Sequence, residues 1–357
     1  MKKLNVALIG QGRSGRNIHG VYFLGEANSY YNVKYVVDAD AFRREAAERD
    51  FEGCKTFATY QELFDIDDID LVVNSTYSEM HYPITLDLLE HGFNVLVEKP
   101  FARTKYECDR LIKTAKEKGV TLAVFQQTFF APYYVFAKNL VKEGKLGDIK
   151  EVTIRFNAFK RRWDWQTLLK KCAGGLYNTG PHPVGIALGF LDFDKNAKLV
   201  YSKLDKGLAS GDGDDFAKLI ITAPGKPVID LEVSSIDAYS PFNIKIQGTR
   251  GTMKCTPSKY EMTYIVDGEN PEMPVIETFL KNEEGKPMYC KETLNKHVEE
   301  GGFGGSAFDV GTATLYEQLY YKLTENRPMD VTPEIAADII RIIAQAHAEN
   351  PLEVQFL

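Results

Sequence analysis

The stretch that most constrains this chain is Leu4 to Arg16, LNVALIGQGRSGR. Leu4, Val6, Ala7, Leu8 and Ile9 form a short, nearly continuous apolar run, which suits a parallel strand buried on both faces. Gly10, Gly12 and Gly15 follow as G-x-G-x-x-G. In such a loop the first glycine permits the tight turn, the second lets a pyrophosphate approach the backbone, and the third lets helix pack against strand. A helix starting near Arg13 aims free amide groups and the positive end of its dipole at that phosphate. Glycine triplets also occur in ordinary turns, so the context carries the reading. A second apolar run, Val33 to Val37, ends in Asp38, 23 residues past Gly15, where an acid accepts hydrogen bonds from an adenine ribose. The expectation is a dinucleotide site built on Gly10, Gln11, Gly12, Arg13, Ser14, Gly15 and Asp38.

Three further short apolar runs follow, Leu71 to Val73, Phe93 to Val97 and Thr121 to Phe125, separated by segments with helical spacing. Five strands alternating with helices predict an α/β doubly wound parallel sheet over residues 1–125. The rhythm then changes to alternation by twos. Phe216 to Thr222 and Val228 to Ile236 read as one hairpin, and Ile244 to Gln247 with Thr252 to Cys255 as another. Two helices close the chain, one around Leu315, Leu319 and Leu323, the other opened by Thr332-Pro333. Residues 126–357 are therefore expected to form an α+β domain with an open, mainly antiparallel sheet.

A net charge of −7 without a basic tail argues against a nucleic-acid partner. No apolar run approaches the ~20 residues that span a bilayer, and Met1-Lys2-Lys3 opens a strand rather than a signal peptide. Cys54, Cys108, Cys172, Cys255 and Cys290 are odd in number and scattered, which fits reduced thiols in the cytoplasm and gives no metal site by spacing. Asp212, Asp214 and Asp215 in SGDGDD lack the spacing of a cation loop and read as a turn.

Two places carry residues that a structural segment does not need. Glu98-Lys99-Pro100 ends the Phe93 to Val97 strand, where a cation can steady a hydroxyl or its developing alkoxide; position alone equally fits a surface ion pair. Gly174 to His182, GGLYNTGPH, puts His182 in the first turn of a helix, which tends to keep an imidazole neutral and able to accept a proton. A half-buried histidine holding a loop is the structural alternative. Ser75, Thr76 and His81 lie in the loop after the Leu71 to Val73 strand, at a carboxyl end where ligands bind in open α/β sheets. With Glu98, Lys99 and Gln127 they complete the candidate cofactor contacts. Trp163 and Trp165, beside Lys160, Arg161 and Arg162, suit a sugar or the nicotinamide ribose.

Taken together, G-x-G-x-x-G, Asp38, His81 placed 17 residues before Glu98, EKP, GKLGDI at 144–149 and GGLYNTGPH resemble the glucose-fructose oxidoreductase, inositol dehydrogenase and rhizopine catabolism family (Gfo/Idh/MocA) over nearly the whole chain. The resemblance implies an N-terminal Rossmann domain and hydride transfer between NAD(P) and a secondary hydroxyl of a sugar, polyol or glycoside. It implies Lys99 and His182 at the catalytic centre, with Asn178 where the family's D-x-x-x-H pattern has its acid. Lys99, Trp163, Trp165, Asn178 and His182 are then the candidate substrate contacts. Asp38 favours NAD over NADP, and a homodimer or homotetramer is implied. Alternatives are glycoside cleavage by transient oxidation with tightly bound NAD, and a catalytically silent sugar or dinucleotide sensor. The chain departs from the family pattern at Asn178, at Gly185 where an acid is common, at Tyr77 where a proline is usual, and at Thr128-Phe129 in place of an arginine pair.

Overall fold

The computed structural model describes residues 2–356. Six parallel strands, β1 (Leu4–Ile9), β2 (Tyr31–Val37), β3 (Lys55–Phe57), β4 (Leu71–Asn74), β5 (Val95–Val97) and β6 (Leu122–Val124), form a sheet of order β3-β2-β1-β4-β5-β6. The order reverses at β1, which opens a crevice outside the carboxyl ends of β1 and β4. Along β1 successive side chains feed different cores: Val6 and Leu8 pack into one, Ala7 and Ile9 into the other. That two-sided burial is why the run is continuously apolar. The strand β3 is an addition to the five expected. It has three residues at the sheet edge, one exposed and two half-buried, too short and too little buried to show a periodicity.

The second sheet holds β7 (Ile149–Asn157), β8 (Lys198–Asp205), β9 (Phe216–Thr222), β10 (Val228–Ser234), β11 (Ile244–Gly248), β12 (Gly251–Cys255), β13 (Lys259–Tyr264) and β16 (His297–Gly302). Its order is β16-β13-β12-β11-β7-β10-β9-β8, antiparallel throughout except for β7 beside β10. A small hairpin of β14 (Leu280–Lys281) and β15 (Pro287–Met288) lies outside it. Ile229, Leu231 and Val233 of β10 are buried against the helix Pro181–Phe190, whereas Asp230 on the opposite face joins Arg155 and Lys218 in an ion-pair network.

The two sequence halves are not separate in space. The helix Thr312–Glu325 returns to the parallel sheet and buries Leu315, Tyr316, Leu319 and Tyr320 against Val6, Leu8, Tyr31 and Phe125. The boundary near residue 125 therefore divides the chain by type of sheet, while one layer of the first sheet comes from the far end of the sequence. Among the described residues no helix is long and apolar enough to cross a membrane, and no group of three or more His, Cys, Asp or Glu can hold a metal ion.

Candidate active site

The glycine loop is tightly determined at two of its three glycines and open at the middle one. Gly10 has φ of +89°, and a Cβ there would lie 2.7 Å from the Ser75 carbonyl oxygen. A Cβ on Gly15 would lie 1.8 Å from the Gly10 carbonyl oxygen. At Gly12 a Cβ would meet nothing within 4 Å. The loop thus keeps free space at the position where a phosphate must approach the backbone, which fits a dinucleotide. Gly12→Ala should leave the melting temperature unchanged and weaken NAD binding by roughly ten- to a hundredfold, the equivalent of about 1–3 kcal/mol of overpacking; unchanged affinity in a calorimetric titration would show that nothing docks there.

Past the loop, helix begins at Arg13 as expected, but Gly15–Gly20 winds as a π-helix before Val21–Leu24 continues as α. His19 on this wider turn is fully buried, with Nδ1 2.8 Å from the Tyr316 hydroxyl and Nε2 3.2 Å from Glu98 Oε1. Glu98 Oε2 accepts the Lys99 backbone N–H at 2.9 Å. Burial raises the Glu98 carboxyl's pKa, but His19, Lys99 and His81 outweigh it and hold it below the usual range.

Asp38 ends β2 with Oδ2 accepting the Gln11 backbone N–H at 2.7 Å and Oδ1 accepting that of Asp40 at 2.9 Å. The nearby arginines are both engaged: Arg43 lies 3.5 Å from Asp38 Oδ2, and Arg44 donates to the Asp38 and Ala39 carbonyls. Arg13 is exposed on the helix's first turn, beside half-buried Ser14.

Other candidate cofactor residues are committed to the protein itself. The Ser75 hydroxyl bridges the Ile9 and Gly10 carbonyls at 2.8 and 2.9 Å, latching β4 to the glycine loop. Thr76 donates to Asn74 Oδ1. His81 is buried between the Pro100 and Thr76 carbonyls, at 2.7 and 3.3 Å, so its ring staples the loop after β4 to the segment after β5. Gln127 is buried with Oε1 unpaired.

Lys99, Asn178 and His182 are brought together. Lys99 leaves the end of β5, and its Nζ donates to the Asn178 backbone carbonyl at 2.9 Å. Burial depresses the Lys99 pKa; Glu98 opposes this, and Arg13 and Arg162 add to it. His182 sits in the first turn of Pro181–Phe190, its Nδ1 2.6 Å from the Thr128 hydroxyl. Its Nε2 has no hydrogen-bond partner among the described residues. Burial, with help from Lys99, pushes the imidazole down to about 3. The ring is therefore neutral at physiological pH, and in the tautomer whose Nδ1–H donates to Thr128 the Nε2 lone pair is free to take a proton.

Thr128 is the residue that sequence reading missed: it entered only as a departure from an arginine pair. The other half of that departure also has a partner. A Cβ on Gly185 would lie 3.0 Å from the Phe129 ring, so the phenylalanine occupies the space an acid at 185 would need. Thr128→Val should lower kcat about five- to tenfold, as expected for one neutral hydrogen bond of ~1 kcal/mol, with KM unchanged and Thr128→Ser restoring the rate; equal loss in both variants would argue against an orienting hydroxyl.

Next to Asn178 opens a cavity of about 240 Å³ over the second sheet, lined by Asn157, Lys160, Arg162, Gln166, Thr179 and Ser235 among others. Neither tryptophan lines it. Trp163 is 77 % exposed, and Trp165 packs edge-on against Tyr77 with ring centroids 4.9 Å apart. Of the SGDGDD acids, Asp214 and Asp215 border the cavity, and all three are buried with backbone N–H groups as partners. Asp212 accepts the N–H groups of Leu169, Gln355 and Phe356, and Asp215 those of Gly207, Leu208 and Ala209. Asp214 accepts Leu176 N–H at 2.7 Å beneath the short helix Gly175–Asn178, and burial pushes its carboxyl up to about 7.

The comparison with known sequences decides the lineage. Residues 4–126 match the oxidoreductase family with an NAD-binding Rossmann fold, and residues 134–254 match the GFO/IDH/MocA C-terminal domain. The chain belongs to the Gfo/Idh/MocA family. Its cofactor is accordingly NAD(H), bound by the Rossmann domain. One relative is the scyllo-inositol 2-dehydrogenase (NADP(+)) IolW of Bacillus subtilis (strain 168), 28 % identical over 194 residues, 54 % of this chain. The chain spans about half the length of that relative, 53 %. Among solved structures, an NAD-binding protein from Listeria innocua superposes with a TM-score of 0.79 at 20 % identity, covering 98 % of both chains. The WlbA dehydrogenase from Bordetella pertussis, in complex with NADH and UDP-GlcNAcA, gives 0.73 at 16 % identity, covering 98 % of this chain and 96 % of the other. Both share the two-sheet fold.

Proposed function

We propose that this Gfo/Idh/MocA oxidoreductase transfers a hydride between a secondary hydroxyl of a sugar, polyol or glycoside and NAD. The observation that carries the reading is a half-buried neutral imidazole and a half-buried ammonium brought together: His182 held by Thr128, Lys99 by the Asn178 carbonyl. NAD, when bound along Gly10 to Gly15 and Asp38, supplies the hydride acceptor. His182 Nε2 takes the hydroxyl proton. Lys99 donates a hydrogen bond to the oxygen as charge develops on it, in a site where little water competes. Asn178 orients the substrate as a hydrogen-bond donor and takes no proton.

NAD is favoured over NADP because the Asp38 carboxylate would face a 2′-phosphate, and the two arginines that could offset it are already bonded to Asp38, Asp40 and backbone carbonyls. The same reading places the protein in the cytoplasm, consistent with five free cysteines, and assembles it as a homodimer or homotetramer through the open sheet.

The test is a panel of sugars, polyols and glycosides offered to the purified protein with NAD and with NADP, following nicotinamide absorbance in both directions. Turnover with NAD supports the reading. Cleavage of a glycoside without net NADH would replace it with transient oxidation on retained NAD. Full activity in His182→Ala would remove the proposed base.

A further inference from the structure

Resting on that reading, the lining of the substrate cavity narrows the class of sugar. The amide orientations there are determined by one residue. Arg162 has only donors; its Nε and Nη2 hold Asp164 at 3.1 and 2.6 Å, and Nη2 also donates to Gln166. Gln166 must therefore turn Oε1 to the guanidinium and Nε2 away. That Nε2 donates to Asn178 Oδ1 at 2.7 Å, which leaves Asn178 with its Nδ2 donor as the free end. A chain of three side chains thus orients the residue beside the reaction centre so that its free end is a donor.

The charges around it point the same way. Lys160 lines the cavity with no side-chain partner among the described residues, and Arg162 keeps Nη1 unused. Lys99 and Arg13 stand on the cofactor side, close enough that Arg13 and Arg162 both act on Lys99. Arg162 already has Asp164 as its carboxylate partner, and the other acids nearby are engaged by protein groups. Asp215 is consumed by three backbone N–H groups, Asp214 is turned under the Gly175–Asn178 helix, and Glu98 is buried against His19. Asn157 lends its Nδ2 to Glu232 and Asp237, at 2.8 Å each, and so holds those carboxylates at its own amide. In a chain of net charge −7, a cavity bordered by the buried Asp214 and Asp215 still keeps the Lys160 ammonium, Arg162 Nη1 and Asn178 Nδ2 free as donors.

We infer that the substrate is an anionic sugar, its acidic group met by Lys160, Arg162 Nη1 and Asn178 Nδ2 in the cavity while the reacting hydroxyl lies at Lys99 and His182. A carboxylate and a phosphate present the same acceptor-rich chemistry to these donors.

Calorimetric binding to the NAD-loaded protein tests this without relying on turnover. The probes are glucose and myo-inositol, glucuronate and galacturonate, and glucose 6-phosphate. Acidic sugars should bind at least about tenfold more tightly than neutral ones, with a preference that shrinks as salt is raised. Whichever of uronate or phosphate binds better identifies the source of the charge. Two variants report on the donors, Lys160→Gln and the charge-reversing Lys160→Glu, both at an exposed position that leaves the fold alone. Each should erase most of the preference while neutral-sugar affinity stays within about threefold. Neutral sugars binding as well as acids, no acid binding at all, or variants that weaken both classes equally would overturn the inference. Oxidation of neutral sugars with no charge preference would overturn it and leave the dehydrogenase reading standing. Tight acid binding without NADH formation would support the ionic assignment and count against the dehydrogenase.

Discussion

His182→Ala is expected to lower kcat by about 10²–10⁴-fold, the usual contribution of a positioned general base, while NAD binding, measured calorimetrically, stays unchanged. The ring is held by Thr128 at 2.6 Å, on a helix whose own core contacts, Val184, Ile186 and Ala187, do not involve it. Loss of the side chain should therefore cost chemistry rather than fold. The pH dependence adds a second readout. Burial keeps the folded imidazole neutral down to about 3, against an ordinary value of 6.5. As pH falls from 7 toward 4 the base remains available, so kcat/KM should show no acid limb at 6.5 that His182→Ala removes. Stability runs the other way. The unfolded chain takes up the proton near 6.5 and the folded one does not, so this histidine's contribution is complete above 6.5 and is lost progressively as pH falls toward 3. The alanine variant should lose less stability over that window in thermal melts; identical pH profiles of stability would mean the imidazole is not held neutral.

Lys99→Met should lower kcat by about 10²–10³-fold, comparable to removing one preorganised donor from a developing oxyanion. Methionine keeps the apolar stem and deletes the ammonium, so the buried surroundings are not left with a cavity. It also frees the Asn178 carbonyl that Lys99 holds at 2.9 Å. KM is expected to rise as well, because the Gly175–Asn178 helix loses its tie to β5. An effect on KM alone, with kcat intact, would assign Lys99 to ground-state binding only. Lys99→Arg should not restore the rate, since a planar guanidinium cannot occupy the position of a compact ammonium.

Much of the architecture was legible because it rests on local chemistry. β1 reads as buried because consecutive residues serve two cores, and the glycine loop reads as a phosphate cradle because its spacing is imposed by backbone geometry. Alternation in Val228–Ser234 separates buried Ile229 and Leu231 from the charged Asp230 and Glu232. Lys99 and His182 stood out because each ends or begins an element at the right place. The edge strand Lys55–Phe57 escaped because three little-buried residues have no pattern, and so did the π-turn at Gly15–Gly20, whose His19 meets Tyr316 and Glu98 from distant segments.

Sequence by itself determined the fold class and the glycine loop, since these follow from short-range periodicity and spacing, and it singled out Asp38, Lys99 and His182 as candidates. Tertiary structure alone decided what each polar group is free to do. It gave Ser75 and His81 to backbone carbonyls, took Trp163 out of the cavity, and supplied Thr128 to His182 from 54 residues away. It also left Asn178 with its donor end free through Arg162 and Gln166. The physical reason is that a hydrogen bond's direction depends on which partners converge in space, and those partners come from segments whose order along the chain carries no trace of the meeting.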